Sequence, residues 1–321
     1  MKKFIAFLAV MAIAAISASG VQAQEEKQAD RWDSTQVFAV RDTQTLALDL
    51  YFPNHRQASD TLRPCMIFVY GGGFVDNNQR AKLYSQFCRD IADQGYVAVA
   101  SDYRLGLRDF HGGSLLKMME PVRNSITIAT EDLFAALEYI LRNAEALSIN
   151  TDKIVLCGSS AGAISVLQAN YELSNRTPMT AGIPEDFRLA GVISFSGGVF
   201  SSKGECKYTV HDPAPTFFLH GDADRLVPYN KIQIFRLGMF GSKPLAAGFK
   251  EAGYPYCFAT FTDHSHEVAS FQDQEFSKVM WFLENYVDKG VNWQIDMDIT
   301  DMDHQIGKVY ASPQQAYSRG F

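Results

Sequence analysis

The chain has 321 residues, of which 47% are apolar and 20% charged, with a formal net charge of −7. That apolar share supports a sizeable core, and the length suits a single α/β domain. The acidic balance argues against nucleic acid or an anionic membrane as the partner.

In chain order, Met1-Lys2-Lys3 comes first, followed by an apolar run from Phe4 to Ile16 that is too short to span a bilayer, then by small residues ending in Val21-Gln22-Ala23. This is the pattern of a signal peptide over residues 1–23, cleaved after Ala23, which implies a secreted or periplasmic protein. Losing Lys2 and Lys3 would take the net charge from −7 to −9. No cysteine follows the apolar run, so neither a lipid anchor nor another stable membrane attachment is expected.

Beyond that segment, short β-branched and apolar runs alternate with longer helical patterns, the signature of βαβ units and a mostly parallel sheet. Eight strands are predicted near 36–40, 46–52, 66–70, 97–101, 154–156, 191–195, 216–219 and 258–261, the first two as a hairpin and the rest parallel. Helices are predicted over 79–94, 131–146 and 273–286, where apolar residues recur at three- and four-residue spacing. The run from Leu133 to Leu141 is apolar on most of its surface and is expected to pack on the sheet. Residues 106–130, with Met118 and Met119, and residues 171–187 fit this rhythm poorly and read as rim or cap loops beside the site. The catalytic domain is expected over 24–290. The remaining 291–321, with Asp296, Asp298, Asp301 and Asp303, reads as a solvated tail, because calcium would need an ordered loop that nothing else here supports.

The five cysteines, Cys65, Cys88, Cys157, Cys206 and Cys257, include no CxxC pair and imply neither a disulfide framework nor a zinc site. Cys65 should open one strand and Cys157 should close a parallel one, so these two are not expected to bond.

Chemistry concentrates at four strand ends. Ile154-Val155-Leu156-Cys157-Gly158-Ser159-Ser160-Ala161-Gly162 is a buried strand running into G-x-S-x-G and a helix, a nucleophile elbow in its required context. The glycines leave room for a strained turn that exposes the Ser160 hydroxyl. Upstream, Ile67-Phe68-Val69-Tyr70 ends in Gly71-Gly72-Gly73. Amides of Gly72 or Gly73, together with that of Ala161 at a helix N-terminus, could bind an oxyanion, each worth about 3 kcal/mol. A phosphate loop would need a GK[ST] ending, which is missing. Downstream, His220-Gly221-Asp222-Ala223-Asp224 offers two candidate acids, and Thr262-Asp263-His264-Ser265-His266 offers two candidate bases, in the order Ser, Asp, His. Ser159 and Ser165 read as structural, His220 as a brace of its turn, and His55, His111, His211 and His304 have no nameable partner. His264 and His266 lack a third ligand, so no metal and no cofactor is expected.

Taken together, the Gly71–Gly73 run, Asp102-Tyr103-Arg104-Leu105, the elbow, and His220-Gly221-Asp222-Ala223-Asp224-Arg225-Leu226-Val227-Pro228 resemble the α/β-hydrolase superfamily, nearest its hormone-sensitive-lipase-like and feruloyl or acetyl-xylan esterase-like branches, over about residues 37–286. The resemblance implies a three-layer α/β/α sandwich around an eight-stranded, mostly parallel twisted sheet. It further implies Asp224 as the acid and His266 as the base, with Asp222 and His264 as fallbacks. Tyr70 stands where the lipase-like branch has histidine, and Ser265 replaces the usual glycine before the base. The expected activity is that of a serine carboxylesterase working through an acyl-enzyme on a small-molecule or polysaccharide ester, with acetyl and feruloyl esters suggested. The alternatives are a lipase with a lid over 106–130, a peptidase of prolyl-oligopeptidase type, whose upstream propeller has no room here, and a non-catalytic binding module on the same fold.

Overall fold

The computed structural model describes residues 33–41, 44–53, 62–75, 84–110 and 115–300; the expected signal peptide and residues 301–321 lie outside them. The strands are β1 (Ser34–Arg41), β2 (Gln44–Tyr51), β3 (Arg63–Val69), β4 (Val97–Ser101), β5 (Ile149–Ser159), β6 (Gly191–Phe195), β7 (Gly198–Ser201), β8 (Thr216–Gly221), β9 (Lys231–Ile234), β10 (Leu237–Gly241), β11 (Tyr256–Phe261) and β12 (Gln294–Ile299). The helices are α1 (Ser85–Asp93), α2 (Leu115–Arg142), α3 (Ala161–Asn175), α4 (Ser242–Ala252) and α5 (Phe276–Phe282).

Among the described residues, nine strands form one sheet in the order β1-β2-β4-β3-β5-β6-β8-β11-β12. The β1/β2 and β2/β4 pairs are antiparallel, and every other pair is parallel. Continuous apolar runs are what a parallel sheet covered on both faces requires, and every residue of β4 and β6 is buried. Successive side chains on β8 show the two covers. Phe217 stacks on Phe282 of α5 with ring centroids 5.5 Å apart, while Phe218 meets Phe249 of α4 edge-on, also at 5.5 Å. All five cysteines are free; Cys65 pairs with Ile154 across the ladder, while Cys157 lies three rungs on, opposite Phe68. Among the described residues no helix is long and apolar enough to cross a membrane.

The structure departs from the sequence expectations in four places. Residues 115–130, expected as a loop, are the first half of the 28-residue α2. Pro121, Ser125, Thr127 and Thr130 are poor helix formers, but the three hydroxyls bond back to the carbonyls of Pro121, Arg123 and Ile126, four residues earlier, inside the helix. Residues 171–187, also expected at the rim, begin inside α3, which by then has carried the chain about three turns away from the nucleophile, and none of them lines the cavity beside Ser160. Residues 294–299, expected in a solvated tail, form the ninth strand. Its alternation explains the misreading: Ile295, Met297 and Ile299 are half-buried, Gln294, Asp296 and Asp298 are exposed, and Asp296 accepts from Tyr256 Oη (2.8 Å) and Lys250 Nζ (2.7 Å). Lastly, β7, β10 and β9 form a separate three-stranded antiparallel sheet that no expectation covered. Its β9–β10 hairpin turns through Phe235 and Arg236, with Phe235 at φ 55° and 95% exposed.

Candidate active site

Strand β5 lies at the centre of the sheet, and its end delivers Ser160 at φ 51° and ψ −116°, a conformation outside the ordinary wells that costs on the order of 1–3 kcal/mol. The surroundings hold it there. Ser160 N donates to Phe195 O (2.9 Å), and Ser160 O accepts from Ile164 N (2.9 Å) in the first turn of α3. The two motif glycines make the close packing possible: a Cβ on Gly158 would sit 2.5 Å from the carbonyl of Gly162, and one on Gly162 would collide with the carbonyl of Val69 on β3. Replacing Gly162 by Ala should therefore lower stability by about 1–3 kcal/mol, read as a fall in Tm. The control Gly248→Ala, in α4 with nothing within 4 Å, should be neutral or stabilising by up to about 1 kcal/mol.

From Ser160, Oγ donates to His266 Nε2 at 2.7 Å, and His266 Nδ1 donates to Asp224 Oδ2 at 2.7 Å. The other carboxylate oxygen of Asp224 accepts from the amides of Leu226 (2.8 Å) and Val227 (3.2 Å), locking the side chain into its own turn. His220 is wholly buried beneath it. Its Nε2 stands 3.2 Å from Asp224 Oδ2 and 3.2 Å from Val227 O, and its Nδ1 accepts from Ser242 Oγ at 2.8 Å. Burial pushes the Asp224 pKa up, but the charge of His266 and hydrogen bonds from His220 and His266 outweigh it and hold the carboxyl below the ordinary carboxylate range.

The two fallbacks are elsewhere. His264 Nδ1 donates to Glu267 Oε1 (2.9 Å), which also accepts from Ser265 N (3.0 Å), and the ring is buried edge-on against Phe261 and Phe271. Asp222 is exposed and caps the amide of Asp263 at 2.8 Å. His266 instead opens a 3₁₀ turn, His266–Ser270, which Ser159 ties to the elbow by donating to Ala269 O at 2.6 Å. Ser159, read from sequence as structural, thus fixes the distance between base and nucleophile.

The glycine run turns sharply, with positive φ at Gly72 (126°), Gly73 (61°) and Phe74 (63°). Tyr103 Oη braces it by donating to Tyr70 O at 3.1 Å, and the Tyr70 and Tyr103 rings pack 4.8 Å apart, so tyrosine here supports the loop from below. Gly73 and Ala161 line the same cavity as Ser160, whereas Gly72 does not reach it. That cavity, of about 110 Å³, is walled by Met118, Met119 and Val122 of α2 and by residues of the second sheet. Sequence reasoning placed Met118 and Met119 beside the site, though on a loop rather than a helix, and missed the wall from the second sheet. The signal available was the short alternation Lys231-Ile232-Gln233-Ile234, too brief to stand out beside the long buried strands.

The BD-FAE family model matches residues 48–199, from β2 through the elbow to β7. Fumonisin B1 esterase of Sphingopyxis macrogoltabida is 29% identical over 118 residues, covering 37% of this chain and 21% of that protein. Pyrethroid hydrolase Ces2a of Mus musculus is 30% identical over 163 residues, covering 51% and 26% respectively. The chain spans only 5–28% of the length of the curated relatives it matches. Among solved structures, the apo form of Thermogutta terrifontis esterase 2 shares the fold with a TM-score of 0.58 and 20% identity, covering 80% of this chain and 94% of that one. With the elbow inside the matched region and esterases and a hydrolase among its relatives, this chain is similar to the esterases and lipases of the α/β-hydrolase superfamily, and it shares the fold of an esterase structure.

Proposed function

We propose that the protein hydrolyses carboxylic esters through a covalent acyl-enzyme on Ser160. The single observation that carries this reading is the unbroken relay of 2.7 Å contacts from Ser160 Oγ through His266 to Asp224 at the wall of an apolar cavity. In the first half-reaction His266 Nε2 takes the hydroxyl proton as Oγ attacks the ester carbonyl. Asp224 holds the imidazole with Nδ1 protonated and stabilises its positive form. The carbonyl electrons collect on an oxyanion facing the amides of Ala161 and Gly73. As the tetrahedral intermediate collapses, the C–O bond breaks and His266 returns its proton to the leaving alkoxide. Water, deprotonated by the same histidine, then attacks the acyl-enzyme and releases the carboxylic acid. No step calls for a metal or cofactor. A binding-module reading is disfavoured because serine, base and acid all stand at bonding distance. The N-terminal pattern further supports export with removal of residues 1–23.

A fluorophosphonate probe tests the reading directly. It should attach one phosphonyl group per chain, localised by peptide mass spectrometry to Ser160. Intact protein that stays unlabelled, or is labelled at another residue, would overturn the proposal.

A further inference from the structure

The cavity beside Ser160 is built by elements outside the parallel sheet. One jaw is the β9–β10 hairpin, whose Ile232 and Ile234 line the cavity while Lys231 and Gln233 face solvent, and whose return strand adds Leu237 and Met239. The other jaw is the first half of α2, with Met118, Met119 and Val122. Among the described lining residues Ser160 alone has a polar side chain, and none is ionisable. The phenol of a feruloyl group lodged here would lose water and find no partner, a penalty of up to about 10²-fold in an apolar pocket, and an acetyl group would leave most of the wall uncovered. An alkyl chain loses only unfavourable hydration, and three methionine side chains can adapt to its shape.

The position of the cavity also decides which half of the ester it holds. Gly73 and Ala161 line it, and His266, which must hand a proton to the departing alcohol, does not. It therefore lies on the oxyanion side of the nucleophile, away from the leaving group.

From this juxtaposition we infer that the second sheet and α2 form an acyl-chain clamp, so that the substrates are esters of aliphatic acids longer than acetic, in preference to acetylated or feruloylated sugars. This inference rests on the ester-hydrolase reading and narrows it. Each methylene drawn into such a wall raises kcat/KM about fourfold until the chain outruns the cavity.

The test is a p-nitrophenyl series from acetate to hexanoate on the purified protein, run beside a series of alkyl acetates and methyl ferulate. The expected result is a rise of about fourfold per methylene along the acyl series, a flat profile along the alcohol series, and methyl ferulate below the hexanoate. Ile234→Trp, which fills the hairpin jaw, should lower the hexanoate-to-acetate ratio at least ~10-fold, about the discrimination one or two methylenes carry in an apolar pocket. Met239→Ala, which opens the jaw, should move the optimum to longer chains, giving a second reading should the tryptophan variant fail to fold. A flat acyl profile, a rise that follows the alcohol instead, or a preference for methyl ferulate would each overturn the clamp. Fluorophosphonate labelling with turnover but no acyl preference removes this inference alone; loss of both labelling and turnover removes the reading beneath it.

Discussion

Ser160→Ala is expected to lower kcat on a short-chain p-nitrophenyl ester by at least ~10³-fold, with far smaller change in KM. The residue stands at the one point where the relay meets the cavity, and removing Oγ leaves oxyanion donors and walls that still bind substrate but have no nucleophile to present. Ala keeps the strained backbone of the elbow, so Tm should stay near that of the parent. Steady-state kinetics alongside thermal unfolding separates the two effects. A variant retaining a tenth of the parent turnover would remove Ser160 from the mechanism.

Asp224→Asn should cost about 10⁴-fold in kcat near neutral pH, more than loss of a distant charge could explain. Its Oδ1 can still cap Leu226 and Val227, but an amide nitrogen at the Oδ2 position would point N–H groups at His266 Nδ1 and at His220 Nε2. His266 would be driven into the tautomer whose Nε2 carries a proton and cannot accept one from Ser160. Asp222→Asn, on the exposed side of the same turn, should retain near-normal turnover, and a reversed pair of outcomes would reassign the acid. The pH dependence of stability carries the same signature. The depressed Asp224 carboxyl contributes stability that is present above its unfolded pKa and is lost as pH falls toward its folded one. The stability gap between parent and Asp224→Asn should therefore hold at neutral pH and narrow below about pH 4, which denaturant melts at stepped pH would measure.

The strand ends were the legible part of the sequence because they combine two strong signals, a buried apolar run and the residues that must follow it in a strained turn. Gly158 and Gly162 are required by backbone contacts a few ångströms away, so the motif and the packing are one fact read twice. The choice between paired candidates was less legible: His264 and His266 differ only in which way the turn after Phe261 aims them, and Glu267, three residues beyond His264, is what claims the first. The cavity walls were legible only in part. Met118 and Met119 were expected beside the site but on a loop, because Pro121 and the hydroxyl residues of α2 mimic one, while β9 and β10 are short strands outside the main sheet, where local pattern carries little information. The aspartates of β12 misled in the same way, since an edge strand shows water the same alternating acidity as an unstructured tail.

The five unpaired cysteines have a practical corollary. Burial pushes the Cys206 and Cys257 thiols up to about 12 and those of Cys65, Cys88 and Cys157 higher still, so at neutral pH all five rest as thiols and not as the reactive thiolate. Maleimides and iodoacetamide find little to alkylate at the four buried cysteines of the native molecule, Cys206 alone being half-buried, and its assembly waits on no oxidant. Whatever sulfur chemistry such reagents detect beyond Cys206 measures how often the buried core opens, a clock that the hydrolytic reaction itself does not disturb.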